Sequence, residues 1–239
     1  MRFKLKSWRV ALLLSISALA FAQTDLKRLV AYTSVNHMGF IVLGVFALNE
    51  LAWQGVVMQI VAHGISTGAL FIIAGQLSER MHTRDLSKMG GLWEQLPVMG
   101  GIGLIFVMAS LGLPGLGNFI AEFLTLAGAF QSNILFASLA SAGLIAATVY
   151  SIRIMQKVFY GNRNNTTPLL DLSIRETLIL GSLVVVIFYL GLFPRHVIDL
   201  SKPALIKALE PYQTAGYQHN MASEKVMNAN KKTFFYDSK

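Results

Sequence analysis

The sequence predicts an all-α, polytopic membrane helix bundle with about five full transmembrane helices and a partial one at the N-terminus. Of its 239 residues, 54% are hydrophobic and only 13% are charged, whereas a soluble domain usually carries about 25% charged residues. Several apolar stretches reach the roughly 20 residues that a helix needs to cross a bilayer. One of them contains a proline among glycines, and we predict that its helix is broken at Pro114–Gly117.

Composition also excludes several kinds of site. The chain has no cysteine, which rules out disulfides, iron–sulfur clusters and thiolate metal sites. A net charge of +8 would suggest nucleic-acid binding in a soluble protein, but here the basic residues cluster at the ends of apolar segments and indicate topology instead. No phosphate-binding, dinucleotide-binding or H-E-x-x-H pattern is present. We therefore expect no catalytic residue, metal site or cofactor on this chain, and no nucleic-acid partner.

Residues 1–23 allow two interpretations. They begin with basic residues, continue into an apolar run from Val10 and end in small residues, which is the form of a secretory signal peptide. The apolar part, about 13 residues long, is too short to span a bilayer. It is therefore either a signal-like start or the remaining part of a truncated membrane helix.

Five longer apolar segments follow, joined by polar connections. They are Leu26–Leu48, Ala52–Leu77, Pro97–Phe130, Ile134–Tyr160 and Thr177–Phe193. The third is too long for one straight span, and the predicted break divides it. We assign residues 24–194 to one transmembrane domain and Arg195–Lys239 to a polar tail outside the membrane, with a short interfacial helix at Leu200–Leu209.

The connections alternate in charge. Those that contain Lys27, Arg84 and Lys157 are basic, whereas the intervening connections 49–50 and 131–133 carry no Lys or Arg. The positive-inside rule places basic loops in the cytoplasm. It therefore predicts that the three basic connections are cytoplasmic and that the C-terminal tail lies on the outer side.

Three ionisable residues, His37, His63 and Glu122, lie within apolar segments. An ionisable side chain at membrane depth is costly and by default indicates function, and a broken helix beside such a charge is how many transporters build an ion site. Histidine accepts and releases protons near neutral pH. We predict a proton relay through these three residues, linked by water. The alternative for each histidine is a hydrogen bond to a neighbouring helix, as small residues such as Gly64 permit.

Other charged residues have simpler explanations. Lys27 stands at the start of an apolar segment, where an anchor that sets topology is the favoured role. Arg84 and Asp85 lie in the basic connection and form either a local ion pair or a helix cap. Both interpretations give these two residues a structural role.

Three stretches carry a family resemblance. Residues 21–40, 59–92 and 111–130 closely resemble the antiporter-like membrane subunits of the proton-pumping NADH–quinone oxidoreductase, respiratory complex I. The three motifs occur in the order typical of that family and cover roughly residues 20–210. A glutamate at Glu122, where the L and N types have lysine, favours the M type, or chain 4. The matching stretches correspond to the C-terminal half of that subunit.

The resemblance implies a fold of fourteen membrane helices with two inverted five-helix repeats, each containing a broken helix. This chain would hold the end of the ninth helix and helices ten to fourteen. By resemblance Glu122 matches the glutamate of the second half-channel, His37 and His63 match the histidines of the hydrated central axis, and Lys27 matches a basic position of the same motif. Since residues 10–22 occupy the place of the ninth helix, the resemblance favours a truncated helix over a signal peptide.

The resemblance also implies a function. The chain would be a proton-translocating portion of NADH–quinone oxidoreductase, driven by quinone reduction elsewhere in the complex, with no redox site of its own. Its expected partners are lipid and other membrane subunits, and its expected location is the bacterial inner membrane. For the missing N-terminal half three explanations stay open: a fragment, a split subunit whose other half is a separate chain, and a gene product with a misplaced start. Two alternatives stay open: a subunit of a multisubunit cation/proton antiporter, and a non-conducting structural fragment.

Overall fold

The computed structural model describes residues 23–162, 168–212 and 214, and within them it is built of α-helices and short 3₁₀ turns. The helices are α1 (Leu26–Ala47), α2 (Glu50–Met81), α3 (Pro97–Ser110), α4 (Gly117–Ser132), α5 (Ile134–Val158), α6 (Ile174–Leu192) and α7 (195–212). The only extended pairing among the described residues is one isolated bridge between Asp25 and Asp85. The predicted all-α class is confirmed.

The helices have the lengths of a membrane bundle. Among the described residues, α1, α2 and α6 are each long and apolar enough to cross a bilayer. The 25 residues of α5 form a further long helix, and α3 and α4 are the two parts of the interrupted segment. The predicted polytopic membrane helix bundle is confirmed, whereas residues 1–22, where a partial helix or signal-like start is predicted, lie outside the described residues.

Polar caps explain where the helices begin. The Asp25 side chain accepts a hydrogen bond from Arg28 N at the start of α1, and the Asn49 side chain accepts one from Ala52 N at the start of α2. A capping box joins Ser173 and Glu176 at the start of α6. Such caps satisfy backbone N–H groups that have no partner within the helix.

Helix α2 is longer than predicted. It continues past Leu77 to Met81, so the first residues of the predicted connection after Leu77 are helical. The reason is tertiary: Arg80 in the last turn donates to Leu170 O at 2.8 Å and to Glu176 Oε2 at 2.8 Å. These contacts, one to the connection between α5 and α6 and one to the first turn of α6, hold the final turn of α2 in place.

The predicted break is present and begins earlier than expected, at Leu111. Helix α3 ends at Ser110 and α4 starts at Gly117. Between them Gly112 has φ +66° and Gly115 has φ +97°, and only glycine adopts this region at little cost. The chain therefore leaves the helical path and restarts, as the proline and glycines of this segment predict.

The basic connections meet at one end of the bundle. Leu26 N donates to Arg84 O at 2.9 Å, which joins the start of α1 to the loop after α2. Gly91 N donates to Tyr160 O at 3.2 Å, which brings the end of α5 to the same place. We call this the basic end.

The opposite end, which we call the far end, carries the connections without Lys or Arg. There Asn49 Nδ2 donates to Gly128 O at 2.7 Å. On α7, Lys202 Nζ lies 3.4 Å from Glu50 Oε1. The helix predicted at Leu200–Leu209 is thus present within a longer one, opposite the basic end. Which end faces the cytoplasm, and whether α7 lies at the membrane interface, stay predictions.

Small residues bring α2 and α4 into close contact toward the far end. Gly55 on α2 lies directly against Thr125 on α4, and Gly128 on α4 lies directly against Ala52 on α2. In each case an added Cβ would collide with backbone atoms of the neighbouring helix. Close contacts of this kind are typical of membrane helices, where dispersion forces and polar contacts replace the hydrophobic effect.

Candidate functional site

A histidine and a carboxylate from different helices meet inside the bundle. His37 Nδ1 on α1 lies 3.1 Å from Glu122 Oε1 on α4, which is ion-pair distance. The two residues are 1% and 5% exposed. Neither atom makes a hydrogen bond to the described residues, so the contact is one of ion-pair distance alone. Two of the predicted relay residues are therefore in direct contact.

His63 on α2 completes the group. The ring centroids of His37 and His63 are 5.1 Å apart, and the rings are tilted by 40°. Ser34 Oγ lies 2.8 Å from His63 Nε2, and Thr67 Oγ1 lies 3.2 Å from both ring nitrogens. A hydroxyl can donate or accept, so these partners can match either tautomer of the imidazole.

The broken helix contacts the carboxylate directly. A Cβ built on Gly112 would lie 2.6 Å from Glu122 Oε2. Gly112 also has a left-handed backbone, so two separate constraints favour glycine at this position. The interruption and the buried carboxylate therefore form one structural unit.

Helix α6 supports the break from the other side. Gly191 packs directly against Gly115 and Leu116, and Leu190 Cβ lies 2.9 Å from the position that a Cβ on Gly117 would occupy. The restart of α4 is thus held between α6 and the α2 residue Ala62, which is 3.1 Å from the same position. This packing sets where α4, and hence its carboxylate, begins.

Lys27 lies elsewhere in the fold. It is half-buried in the first turn of α1 at the basic end, and its Nζ lies 4.0 Å from the position of a Cβ on Gly75. At 1.5 Å per residue, it is about 15 Å along α1 from His37. The structure therefore brings Glu122, His37 and His63 together and places Lys27 apart from them.

Sequence reasoning missed several buried polar residues near this group. They are Asn36, Gln59, Ser66, Thr67, Asn118 and Thr125. Asn118 Nδ2 donates to Ser66 Oγ at 3.1 Å, and Ser66 Oγ in turn donates to His63 O at 3.3 Å. Helical spacing is the signal that could have found them, since polar residues recur every three or four positions on one face of α2 and of α4.

The acidic residues at the basic end cap helices and turns. Asp171 accepts hydrogen bonds from Val98 N at 2.7 Å and Met99 N at 3.2 Å at the start of α3. Asp85 accepts from Ser87 N at 2.9 Å and from Ser87 Oγ at 2.8 Å, and these bonds hold the pKa of the Asp85 carboxyl below its usual range. Of the two interpretations of Arg84 and Asp85, a local ion pair and a helix cap, the geometry supports the cap.

The arrangement is suited to handling protons. A carboxylate and two imidazoles lie close together in a buried site, and each can gain or lose a proton. Over residues 23–162 and 168–212, no group of three or more His, Asp or Glu residues is placed to hold a metal ion.

Residues 7–185 match the family described as "NADH:quinone oxidoreductase/Mrp antiporter, TM". The chain is 48% identical over 187 residues to NADH-quinone oxidoreductase subunit M of Pseudomonas aeruginosa, and the match covers 78% of this chain and 37% of that protein. It is 43% identical over 190 residues to subunit M of Escherichia coli K12, with 78% and 37% covered. The chain thus spans little more than a third of the length of these curated relatives.

Solved structures show the same fold. The chain matches a chain of respiratory complex I from Thermus thermophilus with a TM-score of 0.75 at 33% identity, over 84% of this chain and 43% of that one. A chain of the Mrp complex from Dietzia matches with a TM-score of 0.77 at 19% identity, over 85% and 46%. The second similarity shows the fold alone.

Proposed function

Because the chain belongs to the NADH:quinone oxidoreductase/Mrp antiporter transmembrane family, we propose that it is a proton-translocating portion of a membrane subunit of NADH–quinone oxidoreductase. The observation that carries this proposal is the buried contact of His37 with Glu122 beside the broken helix. An ionisable pair is costly to bury within a membrane, so its presence there by default indicates a function. Identities of 48% and 43% to subunits of that name support the choice of complex.

In this proposal protons move along His63, His37 and Glu122. The ring of His63 lies 5.1 Å from that of His37, and His37 Nδ1 lies 3.1 Å from Glu122 Oε1. Each imidazole accepts a proton on one nitrogen and releases one from the other, and water bridges the longer gap. Lys27, about 15 Å from His37 along α1, would serve at the entrance from the basic end.

Electron transfer elsewhere in the complex would drive the movement. The His37–Glu122 pair has two proton distributions: an ion pair with the proton on His37, and a neutral pair with the proton on Glu122. These differ in charge distribution but not in net charge, so a charge that changes nearby shifts the balance between them. Quinone reduction in another subunit is the proposed source of that change, and this chain would carry no redox centre.

The proposed partners follow from the extent of the chain. It spans 37% of subunit M from two bacteria, so the remaining helices of a complete subunit would come from further sequence or from a separate chain. Other membrane subunits of the complex and lipid would surround it. We place the protein in the bacterial inner membrane, with the basic end in the cytoplasm and the C-terminal tail on the outer side.

There are two other candidate functions. The fold shared with the Mrp complex chain at a TM-score of 0.77 makes a subunit of a cation/proton antiporter the second candidate. A non-conducting structural fragment is the third, because the chain spans little more than a third of its relatives. Neighbouring genes for NADH-oxidising subunits support the first function, and neighbouring genes for small antiporter subunits support the second.

The proposal is tested with Glu122→Gln in inverted membrane vesicles from cells that assemble the chain. NADH oxidation is followed by absorbance and proton uptake by a pH-sensitive dye. We expect proton uptake per NADH oxidised to fall toward background. The control is Glu79→Gln, the same change at an exposed position of α2, which should leave the ratio unchanged. Normal pumping by Glu122→Gln would refute the relay.

A further inference from the structure

Helices α3 and α6 begin beside one shared capping segment at the basic end. Helix α3 has no side-chain cap from the residue before it, which is Leu96. Its cap comes instead from Asp171, which accepts hydrogen bonds from Val98 N at 2.7 Å and from Met99 N at 3.2 Å. Two positions later, Ser173 caps the start of α6. One short segment therefore supplies the caps of both helices.

The same two helices also end at one place, the break. Gly112 N donates to Ala109 O at 3.0 Å, so the break continues directly from the last turn of α3. From the other side, Gly191 near the end of α6 packs directly against Gly115. Helices α3 and α6 therefore run in the same direction, from the capping segment to the break.

Their lengths agree with this arrangement. At 1.5 Å per residue, the 14 residues of α3 span about 21 Å, and the stretch of α6 from Ile174 to Gly191 spans about 26 Å. The residues of the break bridge the difference. Because a helix keeps its rise per residue, a change in the axial offset of the two helices at their starts reaches their ends as well.

Packing along α6 does little to fix that offset. Three of its 19 residues, Leu180, Ile187 and Leu190, are buried. Two of the three belong to the end at the break, where Leu190 Cβ and Ile187 Cδ1 lie 2.9 Å and 3.4 Å from the position of a Cβ on Gly117. The axial position of α6 therefore depends strongly on how its first turn is held.

Polar contacts hold that first turn and the residues before it. Leu169 N donates to Gln95 Oε1 at 2.8 Å, in the turn that precedes α3. Arg80 on α2 lies 2.8 Å from Glu176 Oε2 in the first turn of α6. Of these contacts, those of Asp171 reach the backbone of α3 itself. Asp171 is thus the residue that joins the start of one helix to the start of the other.

We propose that Asp171 is a positioning residue for the break. Its carboxylate holds α3 and α6 in one axial register at the basic end, and the two helices carry that register to the break, roughly 20 Å away. Because Gly112 lies against the carboxylate of Glu122, the register also determines how that side chain meets the break. The proposal goes beyond the proposed function and does not depend on it, since it concerns geometry alone.

A carboxylate suits this role. Each of its two oxygens accepts from a different N–H of the first turn of α3, Oδ2 from Val98 and Oδ1 from Met99, so the pair of bonds fixes the direction of the helix as well as its position. Hydrogen bonds to an ionised group are stronger than neutral ones. The negative charge also lies at the positive end of the helix dipole.

The test is amide hydrogen exchange, followed by mass spectrometry on the purified full chain in lipid. A local cap protects only the first turns of α3 and α6, whereas a positioning residue also protects the break. We expect Asp171→Ala to accelerate exchange at Leu111, Gly112 and Leu116, whose N–H groups make hydrogen bonds of 3.0, 3.0 and 3.1 Å. The expected factor is roughly five, which corresponds to the loss of a typical helix cap.

The matched control is Asp85→Ala. Asp85 is also a capping carboxylate at the basic end, where it accepts from Ser87 N at 2.9 Å, but the short turn that it caps does not lead to the break. Exchange at the break should stay at the wild-type rate in this variant. Asp171→Asn keeps one acceptor oxygen and replaces the other by an NH₂ group, so we expect a smaller acceleration than in Asp171→Ala.

The outcomes separate a positioning residue from a local cap. Acceleration confined to the first turns of α3 and α6 in Asp171→Ala overturns the proposal, as does equal acceleration at the break in Asp85→Ala. If Asp171→Ala does not fold, wild-type exchange at the break in Asp171→Asn overturns it. The vesicle assay is separate, because normal pumping by Glu122→Gln would refute the relay and leave the exchange result as it stands.

Discussion

Gly112 lies against the carboxylate of Glu122, so that a Cβ on Gly112 would come within 2.6 Å of Glu122 Oε2. The two residues belong to different parts of the interrupted segment, one in the break and the other in the second turn of α4. The contact explains why the break and the carboxylate occur together: the break leaves space for the acidic side chain inside the bundle.

We expect Gly112→Ala to displace the Glu122 side chain and to lower proton uptake per NADH oxidised. It also costs about 1–2 kcal/mol of stability for a left-handed alanine. Gly115→Ala is the matched control, because Gly115 has φ +97° but nothing within 4 Å of its Cβ position. It should lower stability by a similar amount and leave pumping intact. Equal pumping by the two variants would show that the contact with Glu122 has no role.

The two hydroxyls that contact His63 should be partly redundant. Ser34→Ala and Thr67→Val each leave one hydroxyl within 3.2 Å of the ring, so each alone should lower proton uptake only slightly. The double variant leaves no hydroxyl there, and we expect a loss greater than the sum of the two, an interaction of about 0.5–3 kcal/mol. Strictly additive effects in the vesicle assay would contradict this.

The contacts of Arg80 should hold α2, α6 and the connection between α5 and α6 together. Its guanidinium lies 2.8 Å from Glu176 Oε2 and also donates to Leu170 O. We expect Arg80→Met to destabilise the chain by about 1.5–3 kcal/mol, the typical value of hydrogen bonds to charged groups. Arg80→Lys should recover only part of this, because an ammonium lacks the planar fork. Unfolding in mixed detergent measures both, and equal stability of all three proteins would contradict the assignment.

Gly128 should tolerate no larger side chain. Gly128→Ala brings a methyl group into the backbone of α2 at Ala52, and overpacking of this kind typically costs about 1–3 kcal/mol. Gly68→Ala is the control, since nothing lies within 4 Å of its Cβ position. It should be neutral or slightly stabilising, because alanine favours the helix. If both variants unfold alike in mixed detergent, the close contact of α2 with α4 does not matter for stability.

The turn at Asp85 should weaken only in acid. Hydrogen bonds from Ser87 lower the pKa of this carboxyl below 3.8, so they stabilise the folded turn above that pH and are lost as the pH falls through the lowered pKa. Hydrogen exchange at Leu26 N and Leu86 N, which bond across this turn, should therefore accelerate below the usual carboxylate range, after correction for intrinsic rates. Asp85→Asn should remove this pH dependence. A transition that persists in Asp85→Asn would assign it to another group.

The sequence predicted the elements more completely than the site. Long apolar segments predicted the helices, and proline with glycine predicted the break, because these signals are local. The extension of α2 to Met81 was missed because it depends on Arg80 meeting a connection some ninety positions away. Helix α3 ends at Ser110 for a local reason, because Pro114 has no N–H to donate to the Ser110 carbonyl and Gly112 has φ +66°.

The sequence predicted the ionisable residues of the site but not the uncharged polar residues around them. His37, His63 and Glu122 stand out because ionisable residues are rare in apolar segments, and the structure brings them together. Gln59 and Thr125 were missed because an uncharged polar residue in a membrane helix is common and usually serves packing. Only the packing of the helices shows that both are fully buried and make no side-chain hydrogen bond to the described residues.

The length of α2 has a consequence for where its charged end sits. At 1.5 Å per residue its 32 residues span about 48 Å, whereas the hydrocarbon core of a bilayer is about 30 Å thick. A helix of this length tilts or protrudes, and if α2 protrudes at its basic end, its last turn, with Arg80, would lie at the depth of the phospholipid headgroups. The ion pair of Arg80 with Glu176 would then share its surroundings with lipid phosphates, and anionic lipids would compete for the guanidinium.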